Sequence, residues 1–149
     1  MLCSTLQEIL DADSICFNEN KTVAEENKRV FRLDLPKGEN CCRIDVDDCL
    51  IKDKSVEKCD FWFHHCEKDE NVFVELKGQN INKAFSQIIK TIENIKKRVN
   101  LPQNKRHAAI VISKSPKSSN EIRLLKTEFK SKHGNRLEIQ SIQMTFKFL

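Results

Sequence analysis

Residues 72–113 constrain the chain most strongly: two short apolar runs separated by one amphipathic segment of helix length. The run VFVEL, residues 72–76, is β-branched and aromatic, as a strand requires. Ile81, Ala84, Phe85, Ile88, Ile92, Ile95 and Val99 then recur at steps of three and four. That spacing makes one apolar stripe on a helix of about five turns. Asn80 precedes it as a cap, and Pro102 stops it. Lys83, Lys90, Lys96, Lys97 and Arg98 fall mostly on the other faces. HAAIVIS, residues 107–113, is a second apolar run bounded by polar residues, the pattern of a buried strand. A strand, a helix and a strand in this order permit a parallel crossover, right-handed by the usual rule. The predicted class is α/β.

The flanking sequence fills in the architecture. CDFWFHH, residues 59–65, is strand-like, and the polar CEKDEN, residues 66–71, turns it into VFVEL as a β-hairpin. Residues 29–35 and 41–46 alternate apolar and polar around a Pro36–Asn40 turn and predict another hairpin. Residues 2–10 suit a short helix capped by Ser4 or Thr5. Residues 18–28 read as a loop or short helix. After a turn at 115–119 comes a helix over 119–132, closed by Gly134. The tail RLEIQSIQMTFKF reads as one alternating strand. The expectation is a single domain, residues 1–149, with a mixed β-sheet flanked by helices on both faces.

Composition narrows the class. Hydrophobic residues are 39% of the chain and charged residues 32%, too apolar for disorder and too broken by charge for a membrane protein. No stretch approaches the ~20 apolar residues of a membrane span, and the start lacks the pattern of a secretion signal. Residues 1–75 carry net −8 and residues 76–149 net +12. A basic half suits a polyanionic partner, since Lys and Arg neutralise phosphates. With 7 cysteines, an odd number, and no export signal, the expectation is a reducing cytoplasm and free thiols.

The chemistry concentrates in the hairpin. Asp60 begins one strand, and Glu75, Leu76 and Lys77 end its neighbour. Side chains two apart in a strand share a face, so Glu75 and Lys77 project together. A turn near residues 68–70 brings Asp60 opposite them. Two carboxylates and an ammonium then meet at one end of a sheet. This grouping suits metal-assisted hydrolysis of phosphodiesters, because Mg²⁺ takes hard oxygen ligands.

The stretch KCDFWFHH…VFVELKGQNINKAFSQIIKTI resembles the PD-(D/E)XK nuclease superfamily, especially small stand-alone members with a CDF…ELKG core. The resemblance implies a restriction-endonuclease-like fold, an αβββαβ core extended here by a C-terminal helix and strand. It implies Asp60 and Glu75 as metal ligands, the Leu76 carbonyl as a further ligand and Lys77 as the catalytic lysine. Gln87 matches a glutamine that supports the site in RecB-like members. Many members add a glutamate from the first helix; Glu8 is the candidate, with Glu25 and Glu26 as rivals. The implied activity is Mg²⁺- or Mn²⁺-dependent cleavage of DNA, in nucleic-acid processing or defence, by a cytoplasmic protein that can form a homodimer. Lys83 and Lys90 are candidates for DNA contact. Cys59 stands where the family often has proline.

Other readings remain open. Asp47 and Asp48 could add an outer carboxylate, or simply form a turn. Cys59, His64, His65 and Cys66 could hold Zn²⁺, although their spacing matches no usual ligand set. The alternative function is a catalytically degenerate module of the same fold that binds nucleic acid or a protein.

Overall fold

The computed structural model describes residues 1–76, 80–114 and 119–149. Among them, α1 (Cys3–Leu10), α2 (Ile81–Ile95) and α3 (Ser119–Lys132) accompany nine strands. The strands are β1 (Phe17–Glu19), β2 (Val23–Glu26), β3 (Arg29–Asp34), β4 (Cys41–Asp45), β5 (Phe61–His65), β6 (Glu70–Glu75), β7 (Arg106–Ile112), β8 (Arg136–Ser141) and β9 (Gln143–Lys147). The chain is a mixed α/β protein.

The central sheet runs in the order β1-β4-β5-β6-β7-β8. β5 runs antiparallel to both of its neighbours, β4 and β6, while β6, β7 and β8 run parallel. β7, expected as a buried strand, is buried at every position, and so is β6. α2 joins them, and Asn80 caps it by accepting from the Asn82 and Lys83 amides. The helix stops at Ile95 rather than Val99, but Val99 still packs into the core.

The two faces of the sheet are covered differently, which corrects the expectation of helices on both. Leu6 of α1, Ile88 and Ile92 of α2 and Phe129 of α3 share one core with Trp62, Phe73 and Ile110. The opposite face, with Phe63, Val72, Val74 and Val111, packs against a second sheet ordered β2-β3-β9. Three short strands are marginal alone. Phe31, Leu33, Met144 and Phe146 are almost fully buried, each worth roughly 1.5–3 kcal/mol, so burial against the central sheet supplies the stability.

This second layer explains three departures from expectation. β3 does not pair with β4; it pairs with β2 and, in parallel, with β9. Alternation marks a strand without naming its partner. The polar residues 18–28 contribute β1 and β2 rather than a loop or helix, because backbone pairing along a sheet edge does not require apolar side chains. The C-terminal strand is broken at Ile142, which has φ +70°. Its N–H donates to Ile112 and its carbonyl accepts from Val30, so the chain crosses there from one sheet to the other. The turn expected at 115–119 lies outside the described residues except for Ser119.

Not all cysteines are free. Cys3 and Cys42 form a disulfide, as do Cys16 and Cys49, each with Cα atoms 5.7 Å apart. Non-local folding brings these pairs together across 39 and 33 residues, which spacing could not reveal. Cys41, Cys59 and Cys66 are buried free thiols. The α1 N-cap is Leu2, without the side-chain cap expected from Ser4 or Thr5. No helix among the described residues is long and apolar enough to cross a membrane.

Candidate active site at the end of the central hairpin

The pairing of β5 with β6 sets the site. Phe61 lies opposite Val74 and Trp62 opposite Phe73, so the next position places Asp60 beside Glu75. The Asp60 amide donates to the Val74 carbonyl at 3.1 Å, extending the ladder by that one step. Directly opposite residues share a face. Asp60 and Glu75 therefore continue the Trp62–Phe73 row, on the side that α2 covers. Both are buried, at 5% and 2% exposure.

Local hydrogen bonds hold the acids in place. The Asp60 carboxylate accepts from the Leu76 amide at 2.7 Å. The Asp60 carbonyl accepts from the amides of Val46 and Asp47. Thr91 of α2 accepts from the Cys59 amide and donates to the Gln87 carbonyl, both at 2.8 Å. The helix that carries Gln87 is thus fixed to the residue that precedes Asp60.

Asp47, Asp60, Glu75 and Gln87 line one cavity of about 260 Å³ with the 54–58 loop. That loop, legible in the sequence only as a charged connection, forms the rest of the wall. Lys58 holds it by donating to the carbonyls of Asp53 and Val56, and Glu57 accepts from Ser86 of α2. Asp47 is both a turn residue and a wall of the cavity; Asp48, in the left-handed region at φ +57°, is a turn residue outside it.

Four carboxylates line the cavity, those of Asp47, Glu57, Asp60 and Glu75, together with Lys54, Lys58 and Gln87, whose amide oxygen is buried without a hydrogen-bond partner among the described residues. Oxygen donors are the type a hard cation takes. Cys59 does not line the cavity; its thiol donates to the Phe61 carbonyl at 3.5 Å, and burial pushes its pKa up.

The other expected residues divide. Lys77 lies outside the described residues. The Leu76 carbonyl accepts from the buried Arg29 guanidinium, and a carbonyl facing that cation is a poor ligand for another. Glu8 is exposed on α1, Glu25 and Glu26 lie on β2, and none lines the cavity. Lys83 and Lys90 are exposed on α2, with Lys90 3.7 Å from Glu93. The four-residue zinc reading does not assemble: Cys59 and Cys66 flank opposite ends of β5, and His64 and His65 face opposite sides of it. His64 instead meets Asn71 at 2.8 Å and the Met1 carbonyl at 3.0 Å.

No protein-family model matches the chain, and neither a curated protein nor a solved structure matches it. Fold and site define a mixed α/β protein with a solvent-open cavity at one end of its central hairpin, with Asp60 and Glu75 buried in its wall.

Proposed function

We propose that this chain is a divalent-metal-dependent endonuclease of restriction-endonuclease-like fold that hydrolyses phosphodiester bonds in DNA. The observation that carries the reading is Asp60 set beside Glu75, both lining a cavity with Gln87. The resemblance of the same stretch to the PD-(D/E)XK superfamily agrees with it.

In this reading Asp60 and Glu75 hold the ion, with Gln87 and Asp47 adding oxygen donors. Mg²⁺ or Mn²⁺, when bound, supplies Lewis acidity toward a phosphoryl oxygen and acidifies water. Lys77 orients the attacking water and stabilises charge developing on phosphorus. Lys83 and Lys90 meet the DNA backbone, where neutralising phosphates favours binding without reading sequence. A homodimer lets two sites act on two strands.

The test is cleavage of supercoiled, linear, branched and single-stranded DNA with Mg²⁺ or Mn²⁺. Wild type cuts at least one form, and Glu75→Gln and Lys77→Ala abolish cutting. Calorimetric Mn²⁺ binding disappears in Glu75→Gln. The reading fails if wild type cuts none of them and its Mn²⁺ binding is indifferent to Glu75→Gln. Metal binding and DNA retention without cutting point instead to a binding module.

The reading places the chain in the cytoplasm.

A further inference from the structure

We infer that Glu39, His65 and Glu67 form a second metal site, for a borderline-soft divalent ion of the Zn²⁺ type. It sits at the turn end of the β5–β6 hairpin, away from Asp60 and Glu75. His65 ends β5, Glu67 lies in the hairpin turn, and Glu39 lies in the turn that brings the chain from β3 to β4. The site is independent of the nuclease reading.

Geometry comes first. His65 Nε2 is 3.3 Å from Glu39 Oε1 and 3.6 Å from Glu67 Oε1. One donor atom from each residue lies within 4.8 Å of the others. Ligand atoms bound at about 2.0–2.1 Å around a tetrahedral ion stand about 3.3–3.4 Å apart. Both imidazole-to-carboxylate spacings are close to that edge.

The second observation is the state of the imidazole. His65 is 1% exposed, and neither ring nitrogen makes a hydrogen bond. Glu39 Oε2 is likewise buried without one. A fully buried imidazole normally has a hydrogen-bond partner; this one directs a nitrogen at two carboxylates. The ring is held by stacking on Phe148, with centroids 5.7 Å apart and planes 5° apart.

The carboxylates are oriented too. Asn40 donates its amide N–H to Glu67 Oε1 at 2.7 Å and its side-chain N–H to Oε2 at 2.9 Å. Such outer hydrogen bonds commonly fix metal-ligating carboxylates. The Glu67 side chain is 39% exposed and that of Glu39 20%, which leaves an approach from solvent and room for water as a fourth ligand. An imidazole with carboxylates selects Zn²⁺ over Mg²⁺, which takes oxygen donors. Bound there, the ion ties the turn joining the two sheets to the tip of the central hairpin.

The test uses the full chain, stripped with chelator and titrated with Zn²⁺ by calorimetry in excess Mg²⁺. Wild type binds one Zn²⁺ at this site and its thermal midpoint rises. Glu39→Gln and Glu67→Gln, at partly exposed positions that keep the fold, weaken binding about tenfold or more. Asp60→Asn leaves Zn²⁺ binding unchanged. Co²⁺ in place of Zn²⁺ gives visible d–d bands without a thiolate charge-transfer band. Absence of Zn²⁺ binding, wild-type affinity in either glutamine variant, or a thiolate band overturns the assignment and leaves a histidine in contact with two carboxylates.

Discussion

The Leu76 amide donates to the Asp60 carboxylate at 2.7 Å, so the acid that opens one strand is clamped to the residue after the acid that ends its neighbour. The bond aims Asp60 and closes the hairpin end in a single contact. It also separates the two jobs of that side chain.

Asp60→Asn retains an oxygen acceptor for Leu76 but removes the charge. Stability measured by urea unfolding should stay near that of wild type, while DNA cleavage falls roughly 100-fold or more. Asp60→Ala also leaves the buried amide without that acceptor and costs about 1–3 kcal/mol. Undiminished cutting by Asp60→Asn would remove Asp60 from the site.

Thr91 joins α2 to the residue before Asp60 through its hydroxyl, and it is fully buried. Thr91→Val keeps the volume but cannot accept from the Cys59 amide. The expected loss is about 1–3 kcal/mol in unfolding free energy. Mn²⁺ affinity falls with it, and Thr91→Ser restores both. A valine variant with wild-type stability and metal affinity contradicts this coupling.

Gly134 is buried where α3 returns to β8, its N–H donating to the Phe129 carbonyl at 2.8 Å. A Cβ there would fall on the Phe129 ring and on the Arg106 carbonyl. Phe129 is fully buried, so the ring cannot easily yield. Gly134→Ala should destabilise the protein by about 1–3 kcal/mol, as overpacking does. A thermal midpoint equal to that of wild type counts against this packing.

The two Asn40 donors hold the Glu67 carboxyl below its ordinary value of 4.5. Its folded pKa is below its unfolded pKa, so the unfolded chain takes up the proton first. The contribution is present above the ordinary value and is lost as pH falls through the folded one. Asn40→Ala removes the side-chain donor. Its deficit in urea midpoint, read without metal, should be full at neutral pH and shrink in acid. A deficit that grows on acidification reverses the expected sign.

Much of the candidate site was legible in advance because hairpin geometry is local. Strand periodicity and a short polar turn were enough to predict Asp60 opposite Glu75. The stripe from Ile81 to Val99 likewise identifies α2, while Gln87 is singled out only by the resemblance to RecB-like nucleases. The Leu76 carbonyl meets Arg29 from 47 residues away, a contact that no local pattern shows. The 54–58 loop had no periodicity to mark it as a wall. Glu39 and His65 meet only because β4 lies against β5, and nothing near either residue hints at the other.

Side-chain periodicity and capping are written in neighbouring residues, so local sequence is enough to assign the helices and strands near the centre of the fold and to make α2 the link between two buried strands. Long-range packing is what gathers the helices on one face, pairs β3 with β9 across most of the chain to cover the other, and brings particular cysteines together. Those outcomes depend on which apolar surfaces remain to be buried once the central sheet has formed. That is a property of the assembled surface, and no local window of residues carries it.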